Sequence, residues 1–524
     1  MPATRNRPTR GVIATPHALA SSAGRRALEA GGSAVDAAVS AAAVLAVVYP
    51  HMCSIGGDLF ALVREPSGRI FTVDASGAAA AGIDAAGQID GASMPLTGPM
   101  TVTVPGSVSG WDALVALGGR RSFRDALASA AEVAAGGVPV SRSLAADLAR
   151  HARSLATDPG MRDVFFRGGR PLSEGAPLYQ EALAASLSDL MGNGPAALYS
   201  GKLGERFVAG LRRLGSPLAP SDLSTHRADW VEPVVGRYGD WRILTSPPGS
   251  QGFVLLEVLA AADRLGLDLD PAGTAAPVLA RLFVLTSRDR DRYLADPRRT
   301  VVPVERLLSD GHIDELTRLA GIGPVETSPG IPRSGGDTVA VVAADADGWA
   351  VSLIQSIFHS FGAGILEPAT GIVCQNRGAS FSLDPAHPNA LAGGKRPAHT
   401  LMPVMATSTD GSLAVVAGTM GGLAQPQIHA QVLARLRAGT SPQDSVAAPR
   451  WVLGGADIGS PTDVIFAEAS LDEGFERRMA DTRMTLIRLP AGGDEVGHAS
   501  VLRLDGDAMR GGVDPRSDGS VERT

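Results

Sequence analysis

The most constraining feature of this 524-residue chain lies past its middle. Gly321–Gly336 (GIGPVETSPGIPRSGG) holds three Pro, five Gly and two Ser, and reads as an exposed, flexible segment. After Asp337 comes TVAVVAA (Thr338–Ala344), a β-rich run. Asp345-Ala-Asp-Gly348 reads as a turn, and Trp349–Ile357 as a second β-rich run. A hairpin that begins directly after a flexible loop places Thr338 where loose chain meets a buried strand. Taken alone, the Asp-Thr dipeptide says no more than that a Thr opens a strand.

The rest of the chain suits one large domain or two to three ordinary ones. Hydrophobic residues make up 44% and charged residues 19%, which excludes a mainly disordered chain. Residues 16–50 read as two helices: Pro16 in the first turn, Gly31 and Gly32 as the stop, Ser33 as the next cap. Strand-like runs follow at Leu59–Arg64 and Ile70–Asp74. Residues 122–330 are mostly helical in pattern, with a start at Ser122 and Asp125 and a stop at Gly136-Gly137. Ala414–Ala417 is a further apolar strand that ends in the turn Gly418-Thr-Met-Gly-Gly422.

Several classes of function drop out. A net charge of −7 with no long basic run argues against nucleic-acid binding. The longest apolar stretch, Ala37–Tyr49, has 13 residues, short of the ~18–20 needed to span a bilayer. It reads as a buried helix, and no membrane partner is expected. Two cysteines, Cys53 and Cys374, exclude a disulfide-dense scaffold, and a cytoplasmic address is the default expectation. Ten His show no metal-ligand spacing, and no phosphate-binding glycine loop follows a strand, so neither metal nor cofactor is expected. Asp289, Arg290, Asp291 and Arg292 read as a solvated helix face.

Five blocks in order carry a resemblance. They are GVIATPHALASSAGRRALEAGGSAVDAAVSAAAVLAVVYPHMCSIGGDLFALV from Gly11, TVTVPGSVSGWDAL (Thr101–Leu114), DRDRYLADP (Asp289–Pro297), GKRPAHTLMP (Gly394–Pro403) and GDTVAVVAADADGWAVSLIQSIFHSFGAGI (Gly336–Ile365). The chain resembles the γ-glutamyltranspeptidase family of N-terminal nucleophile hydrolases over nearly its full length. The resemblance implies a four-layer α/β/β/α sandwich. It also implies an inactive precursor that cuts itself before a Thr, here between Asp337 and Thr338. The fragments, 1–337 and 338–524, stay together as a heterodimer within one domain, and a higher homo-oligomer is left open.

This agrees with elementary chemistry. A Thr hydroxyl is a weak nucleophile that needs an adjacent base. Once Thr338 is freed, its α-amine has a pKa near ~8 and takes the hydroxyl proton. The resemblance further implies that Ser356 hydrogen-bonds the nucleophile. Gly421 and Gly422 match the paired glycines whose N–H groups form the oxyanion hole. His399 and Thr400 align with a pair of small hydroxyl residues; Thr400 keeps the hydroxyl, and His399 is either a substrate contact or a satisfied structural His.

The departures concern substrate. Ser76 stands where the family has an Arg for the substrate α-carboxylate, Ser380 where an acid pairs with the α-ammonium, and Phe358 where an Asn binds the amino-acid end. Charge-assisted contacts of ~1.5–3 kcal/mol each are thus missing. Arg377 has appeared, and can bind a carboxylate bidentately or serve in a structural ion pair. QNRGASFSLDPAHPNAL and GKRPAHT are most similar to the subgroup that includes oxamate amidohydrolases. The expected activity is hydrolysis of an amide of a small carboxylate-bearing acyl group through a Thr acyl-enzyme, with γ-glutamyl transfer disfavoured. Carbon–carbon hydrolysis of a keto acid, and a processed but inactive binding protein, are the alternatives.

Overall fold

The structure is a computed structural model that describes residues 9–83, 89, 93–267, 270–327, 337–454 and 462–524. In chain order, the elements that build the site are β1 (Gly11–Thr15), α1 (Ala18–Glu29), α2 (Ala34–Val48), β2 (Asp58–Arg64) and β3 (Ile70–Ala75). After helices between Ser107 and Thr225 come β4 (Asp229–Val231), β5 (Val234–Tyr238), β6 (Trp241–Thr245), α3 (Gly252–Arg264), α4 (Ala276–Tyr293) and α5 (Asp310–Ile322). The remainder is β7 (Asp337–Asp345), β8 (Ala350–Phe358), β9 (Val404–Thr407), β10 (Leu413–Thr419), α6 (Gln425–Arg437), β11 (Ala499–Asp505), β12 (Ala508–Val513) and β13 (Ser520–Arg523).

Two antiparallel sheets stack between helices. The first has the order β13-β1-β7-β8-β2-β3-β4, the second β12-β11-β10-β9-β6-β5. Along β7 the side chains alternate: Val339, Val341 and Ala343 pack toward α1 and α2, while Val342 and Ala344 meet Met405, Val416 and Leu502 of the second sheet. Because both faces are covered, β7 and β8 are buried throughout and show no polar alternation. The far face of the second sheet packs Ile243, Val404, Val415 and Val501 against α3, α4 and α6. The result is the expected αββα sandwich, with a helical portion in the N-terminal part.

The longest apolar run is α2, buried on every side. Ser33 caps it by accepting from the Val35 and Asp36 amides, and Asp36 accepts from Ser33 N–H, a reciprocal capping box. The same box at Ser122 and Asp125 starts the helix that ends at Gly136. Pro16, expected in the first turn of α1, instead precedes the cap residue His17. Residues 122–330 are mostly helical, as expected, but β4, β5 and β6 interrupt them, and two of these form one edge of the second sheet. The solvated face expected at 289–292 is corrected in part: Arg290 is buried and Asp289 half-buried, while Asp291 and Arg292 are exposed. Of the Pro/Gly-rich stretch, Gly321 and Ile322 close α5, and residues 328–336 lie outside the described residues.

Candidate active site

The hairpin β7–β8 sets the geometry. Asp337 faces Phe358 and Val339 faces Gln355, so two residues, Ser356 and Ile357, lie opposite Thr338 in a bulge. Thr338 is buried at the end of β7. Ser356 Oγ donates to the Asp337 carbonyl oxygen at 2.6 Å and accepts from Phe358 N–H at 2.8 Å. In this uncut chain, therefore, the Ser356 hydroxyl grips the carbonyl of the expected scissile bond and not the Thr338 hydroxyl. A donor at that oxygen withdraws electron density from the carbonyl carbon bonded to the Thr338 nitrogen. Gly57, in the loop before β2, lies so close that a Cβ would run into the Ser356 carbonyl, so only glycine fits there.

Across the sandwich, β10 brings the glycine pair to the same end. Ser352 Oγ donates to the Ala417 carbonyl at 2.7 Å, and Gly418 lies over Ala340 and Ile354. Moving from Ala417 to Gly418 thus tracks from the level of Val342, the partner of Ser352, toward Ala340, and onward toward Thr338. The chain then turns through Gly421 (φ 142°) and Gly422 (φ 52°) into α6. Met420 N–H bonds to the His498 carbonyl at 2.8 Å, and Gln251 Nε2 donates to the Gly422 carbonyl at 2.8 Å. Both carbonyl and flanking groups of the turn are thereby fixed. Among the described residues the Gly421 and Gly422 amides have no acceptor in the turn, and they stand at the positive end of α6.

Gln251 also donates to the Thr400 carbonyl at 3.1 Å, which ties the glycine turn to Arg377. Arg377 is fully buried, with its guanidinium 3.9 Å above the Phe358 ring. One nitrogen donates to Thr400 Oγ1 at 3.3 Å, while Nε and Nη2 have no acceptor among the described residues. Those two atoms form one edge of the planar fork, the edge that matches a carboxylate. Burial pulls the Arg377 pKa down to about 9, opposed by Asp58. Phe358 itself has φ 82°, a strained conformation for an aromatic residue, held where its ring floors the guanidinium.

Asp58 was not singled out in the sequence, and it is the counter-charge. It is fully buried, accepting from Gly77 N–H at 3.0 Å and Gln375 Nε2 at 2.9 Å on one oxygen. His399 Nε2 lies 3.1 Å from the other oxygen, and His399 Nδ1 accepts from Leu401 N–H at 3.3 Å. His399 is therefore the neutral tautomer with its proton on Nε2, and burial followed by Arg377 drives its pKa well below the usual value. Burial pushes Asp58 up to about 7 against its donors and Arg377. The only hint in the chain was an acid directly after Gly56-Gly57 at the head of a strand.

The remaining expected contacts are occupied within the fold. Ser76 Oγ donates to Asp74 Oδ1 at 2.6 Å, beside a cavity of about 340 Å³ that Arg396 also lines. Ser380 Oγ donates to the Ala398 carbonyl at 3.0 Å. His399 has both ring nitrogens engaged within the fold, by Asp58 and Leu401. The structure thus groups Ser356, Phe358, Arg377, His399 and Thr400 around one end of the hairpin, with Ser76 and Ser380 turned to local partners. Among the described residues no helix is long and apolar enough to cross a membrane.

The family model described as Gamma-glutamyltranspeptidase matches residues 20–524. The oxamate amidohydrolase proenzyme of Klebsiella pneumoniae is 37% identical, covering 98% of each chain. The glutathione hydrolase-like YwrD proenzyme of Bacillus subtilis is 35% identical, again covering 98% of each. The crystal structure of cephalosporin acylase from Bacillus halodurans superposes with a TM-score of 0.89 at 31% identity, covering 100% of this chain and 97% of that one.

Proposed function

The chain belongs to the γ-glutamyltranspeptidase family, and on that premise we propose that it is a self-cleaving threonine amidohydrolase for small, carboxylate-bearing amides. The observation that carries the reading is the Asp337 carbonyl held by Ser356, one residue from the Thr338 hydroxyl. Thr338 Oγ attacks that carbonyl carbon, the Asp337–Thr338 C–N bond breaks with its nitrogen protonated, and an ester results. Water hydrolyses the ester, leaving fragments of 337 and 187 residues. These remain paired as a heterodimer.

Catalysis repeats the chemistry on a substrate. The freed α-amine takes the Thr338 hydroxyl proton, and Oγ attacks the amide carbonyl. The Gly421 and Gly422 amides receive the oxyanion. The amine leaves with a proton, and water resolves the acyl-enzyme. Arg377 takes the substrate carboxylate on Nε and Nη2. A γ-glutamyl zwitterion fits poorly, because its α-ammonium needs an acid. Asp58 spends its oxygens on Gly77, Gln375 and His399, and Ser380 is engaged elsewhere. Oxamate, named for the Klebsiella relative, has the required form: one carboxylate beside one amide carbonyl. The same groups suit carbon–carbon hydrolysis of a keto acid, which the substrate panel below distinguishes. In this reading the enzyme works in the cytoplasm, in keeping with two buried, free cysteines.

The test is a panel of mono-acid amides, keto acids, glutathione and γ-glutamyl anilide, with mass-spectrometric trapping of the acyl-enzyme. Two fragments, the smaller beginning at Thr338, and an acyl adduct on Thr338 from a mono-acid amide are expected. Thr338→Ala should remain a single inactive chain. Cutting at this bond in Thr338→Ala, or efficient glutathione hydrolysis indifferent to Arg377, would overturn the reading.

A further inference from the structure

Far from the hairpin, three helices on the outer face of the second sheet converge on a buried carboxylate. Glu257 sits in the middle of α3, in the otherwise apolar run GFVLLEVLAA, and is 0% exposed. Among the described residues neither of its oxygens has a well-aligned hydrogen-bond donor, the nearest approach being that of His312. Asp289 comes from the last turns of α4 and His312 from the first turn of α5. His312 Nε2 lies 3.1 Å from Asp289 Oδ2 and approaches Glu257 Oε1 to 3.4 Å. One donor atom from each residue falls within 4.8 Å of the others.

We propose that Glu257, Asp289 and His312 form a binding site for one divalent transition cation, with Zn²⁺ as the best match, that clips α3, α4 and α5 together. A metal bonded at ~2.1 Å to imidazole nitrogen and carboxylate oxygen sets its ligands ~3.0 Å apart in octahedral and ~3.4 Å apart in tetrahedral geometry. The observed separations of 3.1 and 3.4 Å are edges of such a polyhedron. The donor set, two carboxylates and one imidazole, suits Zn²⁺ and other first-row ions better than Ca²⁺ or Mg²⁺, which take oxygen alone. The stronger argument is Glu257. A fully buried carboxylate carries a large desolvation cost unless a positive charge faces it, and the one ion-pair partner in reach among the described residues is His312, at 3.4 Å. The guanidinium groups of Arg292 and Arg306 are held over the Tyr293 ring, at 5.1 and 4.8 Å from its centre. His312 and Asp289 keep partial exposure, which gives the ion a path in from solvent. The site lies apart from the hydrolytic groups and does not rest on the proposed activity.

The experiment uses the full-length protein after chelation and dialysis. It is titrated with Zn²⁺ by calorimetry and with Co²⁺ by visible absorption, whose d–d bands report coordination by nitrogen and oxygen. One equivalent should bind, and Zn²⁺ should raise the melting temperature. His312→Gln should weaken binding at least tenfold and abolish the thermal shift, and Glu257→Gln should do the same if it folds. Absence of stoichiometric Zn²⁺ and Co²⁺ binding, or binding unchanged in His312→Gln, overturns the proposal. The first result would leave a protonated His312 bridging two carboxylates as the account of the cluster.

Discussion

Arg450 buries its guanidinium among the carbonyls of Val446 (2.7 Å), Val496 (3.3 Å) and Gly497 (2.6 Å) and against the Asp514 carboxylate (2.5 Å). Arg377 is equally buried, yet it has a single 3.3 Å bond to Thr400 and two nitrogens without acceptors. The counter-ions differ in the same sense. Burial works against the charge of Asp514, but Arg450 and Arg516 hold its pKa below the usual carboxylate range. At Asp58 burial wins and the pKa rises. One cluster is a closed network whose charges all answer each other, and it joins the short helix Pro442–Ala447, the start of β11 and the segment after β12 into one unit. The other holds a guanidinium rigid but incomplete. Its missing partner is the kind of group a ligand brings, so binding can repay a desolvation cost the folded protein already carries.

The sharpest way to break this contrast is to remove each Arg in turn. Arg450→Met should cost ~3–5 kcal/mol of stability, because Asp514 loses a buried partner. Denaturant unfolding in the uncut Thr338→Ala background would measure it, and an unchanged midpoint would mean that the closed network bears no weight. Arg377→Met should leave that midpoint nearly unmoved or raised. It should instead lower kcat/KM for mono-acid amides about a hundredfold, mainly through KM, as lost uniform binding does. A destabilisation like that of Arg450→Met would make Arg377 another structural anchor.

Titration sharpens the comparison further. A carboxyl raised in the folded state binds a proton more tightly folded than unfolded. Its contribution to stability is complete below its unfolded value near ~4 and is lost as pH rises to the folded value, about 7. Asp514, lowered in the folded state, contributes in the opposite sense: its stability is present above the unfolded value and lost in acid. Asp58→Asn should therefore gain on the wild type between pH 4 and 7 and hold a constant difference above, by unfolding at each pH. A difference independent of pH would show that Asp58 is not the titrating group. The smallest effect belongs to Phe358→Leu. Losing a cation–π contact of ~0.5–2 kcal/mol should raise KM a few-fold with kcat little changed; an unaltered KM would detach the ring from the guanidinium's role.

Much of the fold can be read from local chemistry. The hairpin from Thr338 to Ile357 is legible because both strands are apolar and the Asp-Ala-Asp-Gly turn has its own signature. Asp345 shows why the turn holds, since its carboxylate accepts from Asp347 and Trp349 of the turn and from Ala34 at the start of α2. The caps at Ser33 and Ser122 lie within three residues of their partners. Strands β4 to β6 escape because they are short, β4 and β5 are part-exposed, and β4 and β6 are stabilised by β3 and β9, far along the chain. Asp58 escapes for the same reason, its partners being Gln375 and His399 more than 300 positions away. Ser76 and Ser380 show the converse: alignment places them, but a neighbouring carboxylate or carbonyl claims each hydroxyl first. Glu257 did leave a trace, a lone acid in an apolar helix, visible only once the packing around α3 is known.

The strand order also has a bearing on time. A cut at Asp337–Thr338 leaves β1 of the first fragment sandwiched between β13 and β7 of the second, while β8 stays zipped to β2, and β9 to β6 in the other sheet. Neither piece keeps a complete sheet, and neither can slide out without breaking several ladders at once. In the proposed maturation the cut therefore acts as a ratchet. The unbroken chain carries the instructions for weaving the two halves together; the mature pair keeps the weave but loses the thread that joined them. Once melted, the pair faces a bimolecular search between two fragments with exposed edges, so its survival in use is governed by how slowly it opens and not by where its folding equilibrium lies.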